Sequence, residues 1–247
     1  MENEVSKIFG LRAVIEAIDS GKSISKVYLQ KGLSSPLLSE LNILIKRNKI
    51  STSFVPIEKL NRLSKNGNHQ GVVAQTSAIE FADLDALITS SLEKTKAPLF
   101  LLLDQVSDVR NFGAIIRTAE CTGVDGIIIQ KQGNAPVSAD TIKTSAGAAF
   151  KLPICKVDHI KDAIFQFQAA EIQIVAATEK TDNLVYSVDF TLPTALIMGS
   201  EDRGINPSIL KIVDVKAKLP LLGDIESLNV GVACGAILYE ATRQRLL

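Results

Sequence analysis

The chain has 247 residues, 46% apolar and 22% charged, with a formal net charge of zero. That suits an ordinary soluble globular protein with a sizeable core, built as one large α/β domain or as a small domain joined to a larger one. The longest apolar runs, such as PLFLLLD at 98–104, are far too short to cross a bilayer, and MENEVSKIFG lacks the basic-then-apolar pattern of a signal peptide. Cys121, Cys155 and Cys234 are isolated and odd in number, which offers no disulfide framework or zinc signature. They read as buried small hydrophobes in a reducing cytosol.

The zero net charge hides an asymmetry. Residues 1–75 hold eleven Lys and Arg against six Asp and Glu, while residues 76–247 hold sixteen against twenty-one. A basic front on an acidic body fits a front that meets polyphosphate, and equally a solvated lysine-rich surface.

In chain order, the front reads as a helix near 8–20, a strand at 26–30, a helix near 37–48, and strands at 53–55 and 71–76. Between the last two strands, NRLSKNGNHQG carries Asn66-Gly67 as a turn signal. Residues 77–97 read as a connector in which FADLDALITSSLEK could hold a helix. From 98 the rhythm becomes strand, helix, strand. LFLLLD (99–104) and GIIIQ (126–130) are continuous apolar runs, as strands buried on both faces should be, and they flank a helix at 111–123. Further strands are predicted at 151–157, 172–177, 194–199 and 215–219, and helices near 138–147, 159–170, 206–213 and 227–245. This alternation predicts an α/β fold with a mainly parallel sheet.

Neither a G-x-G-x-x-G after the first buried strand nor a G-x-x-x-x-G-K-[ST] is present. Only His69 and His159 are available for a relay, and His159 reads as a structural residue at a helix start. No His, Cys and Asp cluster has metal spacing, so no metal is expected. What remains lies at strand carboxyl ends, where open α/β sheets bind ligands. DQVSDVRNFGAIIRTAE follows the strand at 99–104, placing Asn111 at an N-cap and Arg117 about two turns into the helix. There Arg117 could pair with Glu120 or Asp104. GSEDRGINP, holding Glu201, follows 194–199, and LPLLGDIESLN, leading into the closing helix with Ser227 and Asn229, follows 215–219.

These segments carry a resemblance. NFGAIIRTA, IMGSEDRGI and LPLLGDIESLNVGVACGAILYE resemble the three motifs of the SpoU-type RNA 2′-O-ribose methyltransferases, within the SPOUT superfamily. NHQG at 68–71 and the RQR at 243–245 extend the match over nearly the whole chain. Its arrangement is most similar to the branch that modifies a guanosine of 23S ribosomal RNA. One departure is Asp202-Arg203, where many members have glycine after the glutamate.

The resemblance implies an N-terminal ribosomal-protein-like RNA-binding domain (1–76), a linker (77–97) and a trefoil-knotted methyltransferase domain (98–247). The knot overrides the usual unknotted connectivity. It implies S-adenosylmethionine, without metal, against backbone groups of Gly199, Leu219 and Leu228. Arg117 would lie against the target phosphate, Asn111 would orient the ribose or the Arg117 loop, and Glu201 would hold the surrounding backbone. Ser227 and Asn229 would bond the nucleotide or shape the cofactor loop, with helix capping as the plain alternative. Lys7, Arg12, Lys26, His69 and Gln70 would touch RNA, although His69-Gln70 could equally close a turn. The expected protein is a cytoplasmic homodimer, paired through its knot domain and bound to no membrane. It would methylate 23S ribosomal RNA, with a transfer-RNA enzyme or a non-catalytic RNA-binding assembly factor as alternatives.

Overall fold

A computed structural model describes residues 7–77, 79–224 and 226–247. Residues 1–6, 78 and 225 fall in the expected first domain, connector and third motif, and lie outside the described residues. The chain divides into two compact units, residues 1–80 with 136–139, and residues 81–135 with 140–247.

The first unit has strands β1 (Lys7–Phe9), β2 (Ile24–Gln30), β3 (Thr52–Val55) and β4 (Val72–Thr76), in the order β1-β4-β2-β3. Only β2 and β3 run parallel; β4 is antiparallel to β1 and β2. Helices α1 (Leu11–Asp19) and α2 (Pro36–Arg47) cover one face, where Val14, Ile18, Leu41 and Ile45 meet Val27, Leu29, Val72 and Ala74. Strand alternation sends Tyr28 to the other face, against Val55, Val73 and Leu60 of α3 (Ile57–Leu63). Two elements depart from the sequence reading. The expected helix at 8–20 begins only at Leu11, because residues 7–9 pair with β4, and α3 occupies what read as a turn-rich stretch.

The second unit is a parallel sheet, in the order β10-β8-β9-β5-β6-β7. Its strands are β5 (Leu99–Leu103), β6 (Gly126–Gln130), β7 (Ile154–Val157), β8 (Gln173–Ala177), β9 (Thr194–Met198) and β10 (Val215–Ala217). Every residue of β5 and β9 is buried, as continuous apolar runs require when both faces of a sheet are covered. On one side Phe100 packs on Phe167 of α7 (Ile160–Ala169), ring centroids 4.8 Å apart. The stretch expected as a connector carries α4 (Leu84–Lys94), whose Leu84, Leu87 and Ile88 join this core. On the other side lie α5 (Val109–Cys121) and the closing α8 (Val230–Arg245). A short helix, α6 (Ala139–Thr144), crosses α5 so closely that a methyl added at Gly113 would overlap the Thr144 side chain.

The helix expected at 206–213 is instead a run of turns. Asn206 accepts from Ser208 N through its side chain and from Ile209 and Leu210 N through its carbonyl, so short turns replace a helical ladder. Cys121 is exposed, contrary to expectation, whereas Cys155 and Cys234 are buried and burial pushes both thiols up to about 12. Arg245, in the C-terminal RQR, ties α8 down by donating to Ala97 O (2.7 Å), Phe190 O (2.7 Å) and Leu192 O (3.1 Å).

At the β7 edge the incoming chain adds a bridge, Ala82 to Cys155, with Ala82 N donating to Ile154 O at 2.9 Å. Lys156 Nζ lies 4.0 Å from the Phe81 ring centroid, and burial together with Lys131 pushes the ammonium down to about 8 from 10.5. Between those values the unfolded chain holds a proton that the folded chain has released, so stability from this residue rises with pH. The stability of Lys156→Met relative to the parent should therefore decline as pH is raised from 8 towards 10.5. Paired thermal melts across that window check the sign.

Candidate active site

The carboxyl ends of β8, β9 and β10 open onto a cavity of about 430 Å³, within the range that ligands occupy. The stretches 177–180, 198–204 and 217–219 form its rim, and Val230, Ala233 and Ile237 of α8 close the side. Gly199, Leu219 and Leu228 all line it, as do Glu201 and Ser227. Gly199 has no room for a side chain, because a methyl there would overlap Gly204. Residues 219–224 and 226–228 make no backbone hydrogen bonds to other described residues, leaving amides and carbonyls for a ligand. The sequence reading missed Ala177 to Lys180. Its own signal was available, since the predicted strand at 172–177 brings its following loop to the same rim.

Beside this cavity three side chains from distant segments meet. Asn111 Nδ2 donates to Glu201 Oε1 at 2.6 Å, and Asn229 Nδ2 donates to the same oxygen at 2.7 Å and to Asn111 Oδ1 at 3.0 Å. Asn229 Oδ1 accepts from Gly231 N (2.9 Å) and Val232 N (3.2 Å), so it caps α8. Backbone N–H groups can only donate, which fixes the Asn229 amide with its nitrogen towards Glu201. The cap of α8 is thus Asn229 and not Ser227, whose place is on the cavity wall. Asn111 is not a cap either. Asp108 holds that position in α5, accepting from Arg110 N (2.9 Å) and Asn111 N (2.8 Å), which leaves the Asn111 amide free for Glu201.

The small residues of α8 divide between two neighbours. Gly231 and Gly235 face α5, where added methyls would stand 3.8 Å from Ala114 Cβ and 3.6 Å from Thr118 Cγ2, while Ala233 faces the cavity. Val232 and Tyr239 of α8 remain exposed.

Arg117 does not line the cavity of its own chain. Six residues beyond Asn111, it is displaced by ~9 Å along the helix and by about a third of a turn around it. Its side chain is exposed and bonds no described residue, neither Glu120 nor Asp104. Among the described residues no group of three His, Cys, Asp or Glu could hold a metal, and no helix is long and apolar enough to cross a membrane.

In the first unit Lys7 and Arg12 are exposed, and Lys26 Nζ lies 5.6 Å from the Tyr28 ring centroid, shared with Lys59 at 5.5 Å. His69 is buried: Nδ1 accepts from Gly71 N at 3.0 Å and Nε2 sits 2.8 Å from Asn61 Oδ1, so the ring closes a turn and is spent. Gln70 Oε1 accepts from Leu11 N at 3.0 Å, serving the start of α1, whose N-cap Gly10 has no side chain. Both residues have intrachain work, which for His69 is the turn-closing alternative. His159 stands at the N-cap of α7 without a side-chain cap bond.

The two roles of Asn229 are separable. Asn229→Ala should lower unfolding free energy by about 1–2 kcal/mol through the lost cap. Asn229→Ser should recover most of that while leaving Glu201 with one donor fewer. Urea titration of both variants, read against the binding of a ligand in the cavity, checks the split.

Comparison with known proteins shows the family. Residues 98–239 match the SpoU rRNA Methylase family, and residues 7–82 match the RNA 2′-O ribose methyltransferase substrate binding family. The chain is 32% identical over 245 residues to the TrmH-family tRNA/rRNA methyltransferase YacO of Bacillus subtilis (strain 168), covering 99% of this chain and 98% of that one. It is 34% identical to a TrmH-family tRNA/rRNA methyltransferase of Staphylococcus aureus (strain MSSA476), with the same coverage. Among solved structures it is similar to the SpoU methyltransferase AviRb of Streptomyces viridochromogenes in complex with AdoMet. That match has 27% identity and a TM-score of 0.62, covering 97% of this chain and 90% of that one. It is also similar to the TrmH/SpoU tRNA modifying enzyme of A. aeolicus, at 35% identity and a TM-score of 0.56, over 66% of this chain and 82% of that one. With a family match over more than half its length, a parallel α/β fold shared with these methyltransferases and an N-terminal substrate-binding domain, the chain belongs to the SpoU RNA methyltransferase family.

Proposed function

We propose that this protein transfers a methyl group from S-adenosylmethionine to the ribose 2′-hydroxyl of a guanosine in 23S ribosomal RNA, as a cytoplasmic homodimer. The observation that carries the reading is the cavity at three parallel strand ends, walled by Gly199, Leu219 and Leu228, with the Asn111–Glu201–Asn229 cluster beside it. Its volume and free backbone groups suit a nucleoside-sized ligand. When bound there, S-adenosylmethionine supplies an electrophilic methyl whose sulfur loses its positive charge on transfer.

The chain's own groups then have two tasks. The acceptor hydroxyl must be held in line with the methyl, and it must lose a proton. No histidine lines the cavity, and Glu201 Oε1 is already engaged by two amides. Arg117 fits the first task as a cation on the phosphate of the target nucleotide, lowering the hydroxyl pKa electrostatically while phosphate or water takes the proton. A guanidinium stays charged in ordinary sites, so a role as general base is disfavoured. Positioning of this kind supplies on the order of 7–11 kcal/mol of barrier reduction.

Because Arg117 lies outside its own chain's cavity, this reading needs a second copy to bring it in. The exposed Val232 and Tyr239 on α8, together with the exposed Ala114 and Arg117 on α5, support pairing through this unit. Ribosomal over transfer RNA is supported by coverage. The rRNA methyltransferase of Sinorhizobium meliloti, structurally similar with bound AdoMet at 25% identity and a TM-score of 0.61, covers 98% of this chain, against 66% for the A. aeolicus tRNA enzyme. The first unit is the RNA grip, through Lys7, Arg12 and Lys26.

Subunit complementation tests the borrowed arginine. Arg117→Ala mixed with a chain whose cavity is blocked by Leu219→Trp should regain about a quarter of parental methyl transfer, since random pairing yields one composite site in half of the dimers. Mixtures as inactive as the separate variants would reject the arrangement. For the grip, replacing Lys7, Arg12 and Lys26 with alanine should lower the salt slope of RNA binding by roughly 0.7–0.9 for each phosphate these cations neutralise. Filter binding across a salt series measures it, and an unchanged slope discards this placement.

A further inference from the structure

Asp104 follows β5 directly and is almost completely buried, at 2% exposure. Its main-chain N–H donates to Met198 O at 2.9 Å, and its Oδ2 accepts from Asn206 N at 2.8 Å. Among the described residues, its Oδ1 is the buried side-chain polar atom without a hydrogen-bond partner. Burial raises its pKa, and the Asn206 bond opposes that shift. A buried acid with a single donor and no cation is a poor choice for stability alone.

Asp104 grips the far end of the loop that leaves β9. That loop is a tight hairpin. Ser200 N donates to Gly204 O at 3.2 Å, Gly204 N donates to Ser200 O at 2.9 Å, and Arg203 N donates to Ser200 Oγ at 3.2 Å. Gly204 adopts φ +65°, and Gly199 has no room for a side chain. These bonds fix the hairpin's internal shape but not its tilt on the sheet. The tilt is set at its two ends, where it leaves β9 at Met198 and where Asn206 meets Asp104, and at its tip, where Glu201 meets Asn111 and Asn229. Glu201 rides at the tip and Gly199 walls the cavity, so a small rotation would carry Glu201 away from Asn111 and Asn229.

We propose that Asp104 is a positioning residue, a buried carboxylate latch that sets where the Glu201 hairpin stands against the cavity and the two asparagines. Its consequence for methyl-donor binding rests on the function proposed above, but the latch itself does not.

Hydrogen exchange on the full-length chain tests it without any assay of activity. In the parent, the Asn206 amide should be protected to the level of the β9 amides; fast exchange there in a folded chain overturns the proposal whatever the variants do. In Asp104→Ala, amides 200–206 should exchange at least about tenfold faster while β5 and β9 keep their protection. Asp104→Asn keeps an oxygen for Asn206 N and should stay within about threefold of the parent. Calorimetric affinity for S-adenosylmethionine should follow the same order, falling about tenfold or more in the alanine variant. Unchanged exchange at 200–206 in Asp104→Ala, or equal loosening in both variants, overturns the latch. A parent chain with a protected Asn206 amide but no measurable donor affinity would instead count against the proposed function.

Discussion

One carboxylate oxygen joins the three parts of the site. Glu201 Oε1 receives amide hydrogens from Asn111, ninety positions upstream, and from Asn229, twenty-eight positions downstream. Each donor is committed elsewhere in its own element: Asn111 N is tied to the Asp108 cap, and Asn229 Oδ1 holds the first turn of α8. Moving Glu201 therefore strains the start of two helices, and losing either helix start releases Glu201. Hydrogen bonds to a charged acceptor are roughly twice as strong as neutral ones, which suits a cluster that stays partly open to solvent. The cluster ties together the start of α5, the loop that leaves β9 and the entry to α8.

The sheet beneath it was readable because burial on both faces leaves little choice of residue. LFLLL, GIIIQ and TALIM are continuous apolar runs, and each is a strand of the parallel sheet. The convergence of strand-end loops follows from parallel topology, but singling out residues 199, 219 and 228 took the family resemblance; all three line the one cavity. Cap assignments were harder. Asp108 and Asn111 are both good cap residues, three positions apart, and Ser227 and Asn229 are another such pair, two apart. Choosing between them depends on where the preceding chain stops being extended, which tertiary packing decides. Likewise Ile205, Ile209 and Leu210 are buried at spacings that suit a helix, yet Asn206 diverts the backbone into turns. β1, with three residues on a sheet edge, is too short to carry a periodic signal.

Composition informed less than position did. The basic excess of the first 75 residues says nothing about which lysines are free, and two of them, Lys26 and Lys59, share the Tyr28 ring. His69 offers the sharper lesson. Beside Gln70 in a glycine-flanked loop it has the look of a recognition residue, but both ring nitrogens are consumed in closing that loop. A buried imidazole with two satisfied nitrogens has nothing left to offer a ligand.

The arginines of the second unit show the same contrast from the opposite side. Arg245 is packed among carbonyl oxygens of the segments 97–98 and 190–192, so its guanidinium fork is spent on holding α8 to the sheet. Arg117 has the same chemistry and none of those bonds; it is exposed on α5, outside the cavity of its own chain. An unengaged guanidinium is available to a phosphate that matches its planar fork, whereas releasing Arg245 would strip the carbonyls of Ala97, Phe190 and Leu192 of their donor. Of these two, only Arg117 is energetically free to be recruited. It stands on α5 next to Thr118, which meets Gly235 of α8 across the seam between the two helices.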